Sequence, residues 1–536
     1  MIKQELIDFL NKNKQTQNEK SLKDLPTPDQ LKNNVKAAKR IIDNLFSGKR
    51  MLIVGDYDAD GIFATTILYS FLKESGFENL VEYIIPSRLK DGYGLSKNII
   101  EYAKDKLFDF IVTVDNGIAA VEAIDIANSY DIEVIITDHH TAPKVLPNAN
   151  IIVNPRVPGE TFPYTQISGA TVAWYLVAAL KKELKSNINI SDYLDYVAIT
   201  IVSDVMPLND INIPLLKLGL KKIKERKRLF YKLLWNDWVA PTIDEVSLGF
   251  NLVPMINAIG RIDDANIGVK LFLSEDNNEI KKLFNFLKET NEKRKVLSRN
   301  YVKEAEKYLN NLNIEISDVI IVRNKDFHEG IVGIIAGKLA EKYQKPAYVL
   351  TYNKEKDIWK GSARSYGDVH LYDLTNKVND LLLGFGGHKG AVGLSLEDKN
   401  FLFFKNRLEK EASLLDKNLF VDRSTIIIDY DLKDIDMEFI NFLKLYSPFG
   451  QGNPKPKFKT KVNVFIEREL KEGLHYKVNL IDDYGNKYIG LFFNIEKEEF
   501  LKDIENKMDI IYEPTLSYSL KNDSFSIEFI CSKNLL

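Results

Sequence analysis

The sequence has a single cysteine, only six histidines and no excess of positive charge among its 536 residues. Because Cys531 has no second cysteine to pair with, a disulfide within the chain and a zinc site built from several thiolates are both excluded. No apolar run approaches the roughly 20 residues needed to cross a bilayer. The first ten residues contain two acids and lack the basic start of a signal peptide, so we expect a cytoplasmic protein.

The formal net charge of -3 gives the chain no overall attraction to nucleic acid or to an anionic membrane. Binding of a polyanion would therefore depend on local basic clusters, such as the alternating lysines at 455, 457, 459 and 461. A Walker A phosphate-binding loop is also missing, because residues 333–338 are one residue too short and Leu339 stands where Ser or Thr is required. An ATP-driven motor is excluded.

Short apolar runs alternate with helix-like stretches from residue 50 onward, which predicts a parallel sheet with helices on both faces. The runs are MLIV (51–54), FIVTV (110–114), EVIIT (133–137) and NIIVN (150–154). Polar residues follow each run. In open α/β sheets the ligand crevice lies outside the carboxyl ends of the strands, so we expect these polar residues to form one site.

Two further changes of pattern predict additional domains. Residues 275–312 contain no Gly or Pro and read as a long connecting helix. A second α/β unit follows, with a strand at 319–322, a Gly-rich helix start and a strand at 347–350. Beyond about residue 415, short β-type segments separated by turn residues predict a small barrel or sandwich.

The first polar cluster places Asp56, Asp58 and Asp60 within five residues. An EF-hand loop is excluded because Ile67 occupies the position that requires a bidentate Glu. Carboxylates this close repel one another unless a cation compensates, which favours a divalent metal. A single Asp after a strand also commonly caps the next helix, so the metal interpretation depends on the whole set. That set of catalytic candidates is Asp56, Asp58, Asp60, Asp115, His139, His140 and Asp204.

An oxygen-rich ligand set with one or two imidazoles suits manganese or magnesium, and the imidazole favours manganese. Two metals a few ångströms apart need one bridging carboxylate. Asp115 is the candidate, because its strand is central in the predicted order.

Asp138-His139-His140 is the signature of the DHH phosphoesterase superfamily, and the surrounding motifs resemble the RecJ family of bacterial single-strand-specific 5′ exonucleases. The matching motifs are GDYDADG (55–61), PSRLKDGYGL (86–95), TVDNGI (113–118), TDHH (137–140), SDVMPL (203–208), PMINAIGRI (254–262), EGIVGIIAGKL (329–339), GSARS (361–365), GFGGHKGAVG (384–393) and SPFGQGNPKPKF (447–458). One departure is Thr171, where the family commonly has Gly, and no proposed ligand lies there.

The resemblance implies an α/β fold in which a parallel-sheet DHH domain and a smaller α/β DHHA1 domain are joined by a long helix, with a C-terminal OB-fold barrel. The expected domains are an N-terminal helical segment (1–49), the DHH catalytic domain (50–270), the connecting helix (271–315), the DHHA1 substrate-binding domain (316–415) and the OB-fold nucleic-acid-binding domain (416–536). We expect removal of the barrel to leave the metal site whole.

The resemblance also implies residue roles. Asp58 and Asp115 would hold one metal, while Asp60, Asp115, His139 and Asp204 would hold the other. Asp56 would be a further ligand or a supporting base, and His140 would face the phosphate. The expected DNA contacts are Arg88, Tyr93, Arg261, Arg364, Gly386, Gly387, His388 and Lys389, with Tyr93 as a stacking platform and residues 384–390 as a Gly-rich phosphate loop.

The implied activity is hydrolysis of single-stranded DNA from the 5′ end to 5′-mononucleotides, in DNA repair and recombination. The resemblance also implies a monomer that works with a helicase and a single-stranded-DNA-binding protein. No membrane partner is expected. Two alternatives stay open. One is a phosphodiesterase for short oligonucleotides or cyclic dinucleotides. The other is a DNA-binding relative without catalysis, against which the complete set of candidate ligands argues.

Overall fold

The computed structural model describes residues 2–13, 21–87, 94–235, 243–310, 317–423, 426–471, 473–495, 497–519 and 524–533. The helices up to residue 310 are α1 (Gln4–Asn13), α2 (Asn34–Phe46), α3 (Ala59–Glu74), α4 (Lys97–Asp105), α5 (Val121–Ser129), α6 (Gly169–Leu184), α7 (Leu194–Ser203), α8 (Asn212–Lys224), α9 (Leu229–Leu234), α10 (Glu245–Ser247), α11 (Val253–Ile262), α12 (Asn266–Leu273) and α13 (Asn277–Asn310). Within these residues, no helix combines the length and the apolar character needed to span a bilayer.

The first sheet is parallel throughout. Its strands are β1 (Met51–Val54), β2 (Val81–Ile84), β3 (Phe110–Val114), β4 (Glu133–Thr137) and β5 (Ile151–Val153), in the order β2-β1-β3-β4-β5. The predicted strands are all present, and the one strand of this sheet that was not predicted is the edge strand β2, in which Glu82 and Tyr83 interrupt the apolar run. The strand order reverses between β1 and β3, which is where such sheets form their ligand crevice.

Apolar layers cover both faces of this sheet. Helices α3 and α6 lie in one core, together with α2 and α7. The second core includes α4 and α5. Helix α3 is buried along most of its length, which explains its nearly continuous apolar sequence. The sheet is therefore a rigid platform for the residues that follow its strands.

Helix α13 has 34 residues and spans about 51 Å at 1.5 Å per residue. Its N-terminal part places Ile280, Phe284 and Leu287 in the core of the first lobe. Its C-terminal part places Ala305 and Leu309 in a core of the second lobe. The predicted connector is confirmed, and its apolar residues anchor it at both ends.

The second lobe contains a mixed sheet in the order β6-β7-β8-β10-β9. Its elements are β6 (Ile320–Arg323), α14 (Val332–Tyr343), β7 (Ala347–Asn353), β8 (Ile358–Arg364), α15 (Leu371–Asn376), β9 (Gly384–Gly387), β10 (Ala391–Leu396) and α16 (Phe401–Ser413). The prediction of a Gly-rich loop here is wrong in one respect, because residues 384–387 form an edge strand paired with β10. Their glycine content disguised the strand, since glycine has a low strand preference.

The C-terminal region forms a barrel. It contains β11 (Ile427–Asp429), α17 (Met437–Lys444), β12 (Lys457–Leu470), β13 (His475–Ile481), β14 (Lys487–Phe493), α18 (Lys497–Asp503), β15 (Met508–Ser519) and β16 (Ser524–Lys533). The strands pair in the order β12-β13-β14-β16-β15, and β15 pairs back onto β12. This second pairing closes the ring, so the predicted barrel is confirmed.

Three lysines of the predicted cluster at the start of the barrel form ion pairs with neighbouring carboxylates. Lys455 lies 3.4 Å from Glu513, Lys459 lies 3.6 Å from Asp429 and Lys461 lies 3.7 Å from Asp509. These acids come from strands that neighbour β12, and the linear sequence did not place them there. Two of these ion pairs, those of Lys459 and Lys461, are exposed and can be replaced by a phosphate, so the expected role of the cluster in DNA binding stays a prediction.

Helix α1 packs far from the other N-terminal helix. Leu6 and Leu10 are fully buried in the core of the C-terminal barrel. Helix α2 instead contributes Ala37, Ala38 and Ile41 to the core of the first lobe. The stretch expected as one N-terminal segment is thus divided between two cores.

We predict that Leu10→Ala destabilises the barrel rather than the first lobe. Removal of this buried side chain leaves a cavity, and such changes cost about 2–5 kcal/mol of unfolding free energy. Hydrogen exchange measured by mass spectrometry should show faster exchange in β12–β16 and unchanged exchange in β1–β5. Faster exchange in the first lobe alone would contradict the assignment of α1 to the barrel core.

Candidate metal centre

All seven predicted catalytic residues meet at the carboxyl ends of β1, β3 and β4. They form three overlapping groups, in each of which the possible ligand atoms lie within 4.8 Å of one another. One group is Asp56, Asp58 and Asp115, the second is Asp60, His139 and Asp204, and the third is Asp115, His139 and His140. The expected convergence of distant polar residues is present in the structure.

The turn between β1 and α3 fixes the first carboxylates. Asp58 caps α3, with Oδ1 accepting from the backbone N–H groups of Asp60 (2.9 Å) and Gly61 (3.2 Å). Asp58 is therefore a helix cap, as a single Asp after a strand commonly is. It can also be a metal ligand, because a carboxylate has enough lone pairs to accept the two N–H groups and to bind a cation. A side chain at Gly61 would lie 2.4 Å from the backbone of Asp56, so only glycine permits this turn.

Asp60 is anchored by the N-terminus of α6. Its carboxylate accepts from the backbone N–H groups of Gly169 (2.6 Å) and Ala170 (2.8 Å). A Cβ atom at Gly169 would lie 2.4 Å from Oδ1 of Asp115, so glycine is required for this close approach. The sequence indicated no role for this segment in the site. Its only local signal was the cap residue Ser168, directly followed by glycine.

Asp115 adopts a left-handed backbone conformation, with φ 62°, directly after β3. Such backbone strain in a residue other than glycine concentrates at functional sites. The next residue holds the strand ends in place: Asn116 Nδ2 donates to the carbonyl groups of Val54 and Val114, both at 2.9 Å. Asp115 Oδ1 lies 3.1 Å from His139 Nε2, so the aspartate is central to the cluster.

The three residues of the DHH signature differ in position. Asp138 accepts hydrogen bonds within the turn, whereas His139 and His140 belong to the groups of possible metal ligands. Asp138 accepts from the backbone N–H of Ile118 (2.9 Å) and of His139 (2.7 Å), and it contacts His140 Nδ1 at 2.8 Å. Burial alone would raise the pKa of Asp138, but the hydrogen bond and charge of His140 lower it. Asp138 therefore supports the turn rather than facing the cluster.

The two histidines differ in protonation. Burial and the neighbouring charge of His140 lower the pKa of His139 to about 3, so its imidazole is neutral, the form that binds metals. For His140, burial is outweighed by the hydrogen bond and charge of Asp138, which raise the pKa to about 9. The pair thus supplies one neutral ligand and one cation.

The carboxylates need a cation. Burial, followed by the charges of Asp204 and Asp58, raises the pKa of Asp60 well above its ordinary value. Burial and the charges of Asp60, Asp58 and Asp56 do the same for Asp115. Burial and Asp58 raise the pKa of Asp204 to about 7. A divalent ion would reverse all three shifts, and these donors fit manganese or magnesium.

The predicted phosphate ligands lie mainly in the second lobe. Arg364 Nη1 donates to Ser362 Oγ and to the Ala363 carbonyl, both at 2.8 Å, and Lys389 forms an exposed ion pair with Asp368 at 2.8 Å. Burial and the charge of Arg364 lower the pKa of His388. These residues share one end of the sheet. Arg88 and Tyr93 lie outside the described residues.

The two glycines of the predicted phosphate site have different roles. A Cβ atom at Gly386 would meet nothing within 4 Å, so its surface is open to a ligand. Gly387 has φ 146°, and a Cβ atom there would lie 2.2 Å from the Ala391 carbonyl oxygen. Gly387 is therefore required by the hairpin itself.

The lobes touch beside the metal centre. Arg261 Nη1 donates to the Gly330 carbonyl at 3.4 Å, and a Cβ atom at Gly330 would lie 2.0 Å from the Arg261 carbonyl oxygen. Arg156, which the sequence analysis missed, lowers the pKa of both Asp204 and His388 by its charge, and so acts on both lobes. Its only sequence signal was its place directly after Asn154-Pro155 at a strand end.

Three family models match the chain in succession. The DHH family N-terminal domain matches residues 50–201, the DHHA1 domain matches residues 316–417, and the RecJ OB domain matches residues 428–529. The single-stranded-DNA-specific exonuclease RecJ of Escherichia coli is 31% identical over 536 residues, covering 95% of this chain and 92% of the relative. The chain belongs to the RecJ family. The resemblance and the fold class inferred from the sequence are both confirmed.

Other RecJ proteins agree with this family assignment. The Bacillus subtilis RecJ exonuclease is 34% identical over 84% of this chain, which spans 56% of that relative's length. The crystal structure of Thermus thermophilus RecJ in complex with Mn²⁺ has a TM-score of 0.76 and 26% identity, covering 94% of this chain and 72% of that one. The RecJ fold therefore extends over both lobes and the barrel.

We predict that Gly169→Ala weakens Mn²⁺ binding by about tenfold or more, a loss typical of disturbed support for ligands. The added Cβ atom must displace Asp115 or the α6 N-terminus that holds Asp60. Isothermal titration of the metal-free protein with Mn²⁺ measures the effect. Gly337→Ala is the matched helical control, because its Cβ atom would meet only Arg364 Cγ at 3.8 Å. Equal Mn²⁺ affinity of the two variants would contradict the role of Gly169.

Proposed function

We propose that this RecJ-family chain hydrolyses single-stranded DNA from the 5′ end and releases 5′-mononucleotides. The observation that carries the proposal is the meeting of Asp56, Asp58, Asp60, Asp115, His139, His140 and Asp204 at the strand-order reversal of the parallel sheet. Buried carboxylates with raised pKa values beside a neutral imidazole suit metal-dependent phosphodiester hydrolysis. The relatives named single-stranded-DNA-specific exonucleases support the substrate class.

In the proposed mechanism, Asp58 and Asp115 would hold one metal, and Asp60, Asp115, His139 and Asp204 would hold the other. Bound divalent ions supply Lewis-acid activation of water and of the scissile phosphate. The Mn²⁺ complex of the Thermus thermophilus relative supports manganese, and a Mg²⁺ complex of the same relative supports magnesium as the alternative. Asp56 lies in the group with Asp58 and Asp115, as a further ligand or a base.

His140 contributes positive charge next to the metals. Its carboxylate partner Asp138 keeps the imidazole protonated at neutral pH, and the side chain is 43% exposed. An exposed imidazolium can donate a hydrogen bond to a phosphate oxygen as negative charge develops there. This assigns His140 to the substrate rather than to the metals.

The DNA strand would continue from the metals to the second lobe, where Arg364, Gly386, His388 and Lys389 offer donors and open backbone. Arginine can bind a phosphate with two parallel hydrogen bonds. Arg261 and Arg88 would contact phosphate from the first lobe, and Tyr93 would stack on an unpaired base. To bind a phosphate, Lys389 must give up its ion pair with Asp368. This costs little free energy, because the ion pair is exposed to solvent.

The cellular setting rests on the family alone. We place the protein in the cytoplasm, in DNA repair and recombination, as a monomer that works with a helicase and a single-stranded-DNA-binding protein. A phosphodiesterase limited to very short or cyclic dinucleotides is the alternative. It is disfavoured because the match to RecJ extends through the barrel, and such short substrates need no extended surface.

We predict that Asp115→Ala lowers nuclease activity by more than about 100-fold, because Asp115 belongs both to the group with Asp56 and Asp58 and to the group with His139 and His140. Binding of single-stranded DNA should stay within several-fold, since the arginine and lysine contacts remain. Release of labelled nucleotide and fluorescence anisotropy of a labelled strand measure the two properties. Substantial turnover by a pure variant would falsify the bridging assignment.

We predict that a strand blocked at its 5′ end resists digestion and that a strand blocked at its 3′ end is degraded normally. The direction comes from the resemblance to the RecJ family alone, and a block at the 5′ end would keep the terminal nucleotide from the site. End-labelled strands with either block, incubated with Mn²⁺, test the direction. If the 3′ block stops digestion instead, the proposed polarity is wrong.

A further inference from the structure

Asp204 is held differently from the other candidate ligands. Its side chain is 31% exposed, whereas those of Asp60, Asp115 and His139 are 2–5% exposed. Asp60 receives two backbone hydrogen bonds, but within the described part of the chain no donor bonds to the Asp204 carboxylate. The position of this carboxylate therefore depends on the backbone that carries it.

That backbone makes an unfavourable turn. Asp204 follows the last residue of α7, and Val205 has a left-handed conformation with φ 50°. A β-branched residue is rarely found in this region, so surrounding contacts must maintain it. On the helix side, the Asp204 N–H donates to the Thr200 carbonyl at 3.0 Å and the Met206 N–H to the Ile201 carbonyl at 2.9 Å.

On the other side, the support comes from the C-terminal region. We call residues 447–453, between α17 and β12, the bracing loop. The Leu208 N–H donates to the Gln451 carbonyl of this loop at 2.8 Å. A Cβ atom at Gly450 would lie 3.2 Å from Leu208 Cδ1, so loop and segment are in close contact. The chain just beyond Asp204 thus rests on the bracing loop.

The bracing loop is itself fixed to the first lobe by one buried carboxylate. Glu245 Oε1 accepts from the Phe449 N–H at 2.8 Å. Glu245 is buried, and its helix begins with a capping box between Asp244 and Ser247. A mainly apolar cavity of about 170 Å³ lies between this loop and the first lobe, lined in part by Glu245, Phe449 and Gly450. Because the two surfaces are not closely packed there, the hydrogen bond to Glu245 contributes to holding the loop. Loss of the Glu245 acceptor should therefore loosen it.

We propose that the bracing loop positions Asp204, so that the C-terminal region sets the geometry of one metal site in addition to any contact it makes with DNA. The proposal rests on the proposed function in one respect, the role of Asp204 as a metal ligand. Glu245 and Gly450 are positioning residues that act through Leu208. Removal of the barrel would then weaken metal binding, contrary to the expectation from the sequence.

The test is titration of the full-length, metal-free protein with Mn²⁺ alone, followed by calorimetry. Glu245→Ala removes the acceptor, and Gly450→Ala pushes on Leu208. Each should weaken one Mn²⁺ site about tenfold and leave the other unchanged. Glu245→Gln keeps the acceptor oxygen and should restore affinity to within about twofold. In the nuclease assay, excess Mn²⁺ should restore the activity of both weakened variants.

Gly490→Ala is the matched control in the barrel. Its Cβ atom would lie 2.9 Å from Val478 Cγ2, so it should lower the unfolding temperature of the barrel without changing Mn²⁺ affinity. The bracing role is overturned if Gly490→Ala weakens Mn²⁺ binding as much as the loop variants do. It is also overturned if Gly450→Ala and Glu245→Ala bind Mn²⁺ normally. Circular dichroism verifies folding, and Gly450→Ala alone decides the matter if Glu245→Ala does not fold.

Asp204→Asn separates this proposal from the proposed function. If Asp204→Asn weakens one Mn²⁺ site while the loop variants do not, only the bracing role is wrong. If Asp204→Asn leaves both sites intact, the ligand assignment of Asp204 is wrong, and the bracing proposal is overturned with it. Matching losses in Asp204→Asn and Gly450→Ala support both.

Discussion

Repulsion among buried carboxylates is the constraint on which the rest of the structure depends. Asp60 and Asp115 lie almost completely buried within a few ångströms of Asp204 and His139. Without a cation, ionised side chains at this spacing oppose folding, because burial removes the water that would screen them. The fold counteracts this with backbone N–H groups aimed at Asp58 and Asp60 and with the imidazolium of His140. A metal supplies the remaining charge.

In the proposed mechanism, this constraint accounts for the placement of the catalytic carboxylates and the phosphate-binding side chains on different lobes. The first lobe carries the concentrated negative charge, so the donors for a polyanionic strand must come largely from elsewhere. Arg364, His388 and Lys389 stand on a separate sheet, and α13 anchors that sheet to the first lobe through apolar residues at both ends. The backbones of Arg261 in the first lobe and Gly330 in the second lobe are in close contact, and this contact joins the two lobes. Arg156 adds positive charge between them.

Most of the candidate cluster could be predicted from the sequence because these residues follow strands of a parallel sheet, where position along the chain translates into position in space; Asp204, which follows α7, is the exception. Asp56, Asp115 and His139 are of this kind. Gly169 could not be recognised, since its importance lies in a 2.4 Å approach to Asp115 that no local pattern encodes. The strand at residues 384–387 was disguised by its glycines. The acids opposite Lys455 and Lys461 come from a strand distant in sequence, so pairing was invisible.

The packing of α1 on the barrel joins opposite ends of the described sequence. Leu6 and Leu10 are synthesised long before Phe529 and Cys531 of β16, but all four residues lie in the same core. During synthesis on the ribosome the apolar face of α1 therefore stays exposed until β16 has emerged. Contacts between such distant segments form late and slow the completion of folding. The barrel core can therefore form only after β16 has been synthesised, and termination before β16 would leave the apolar face of α1 available to chaperones and proteases.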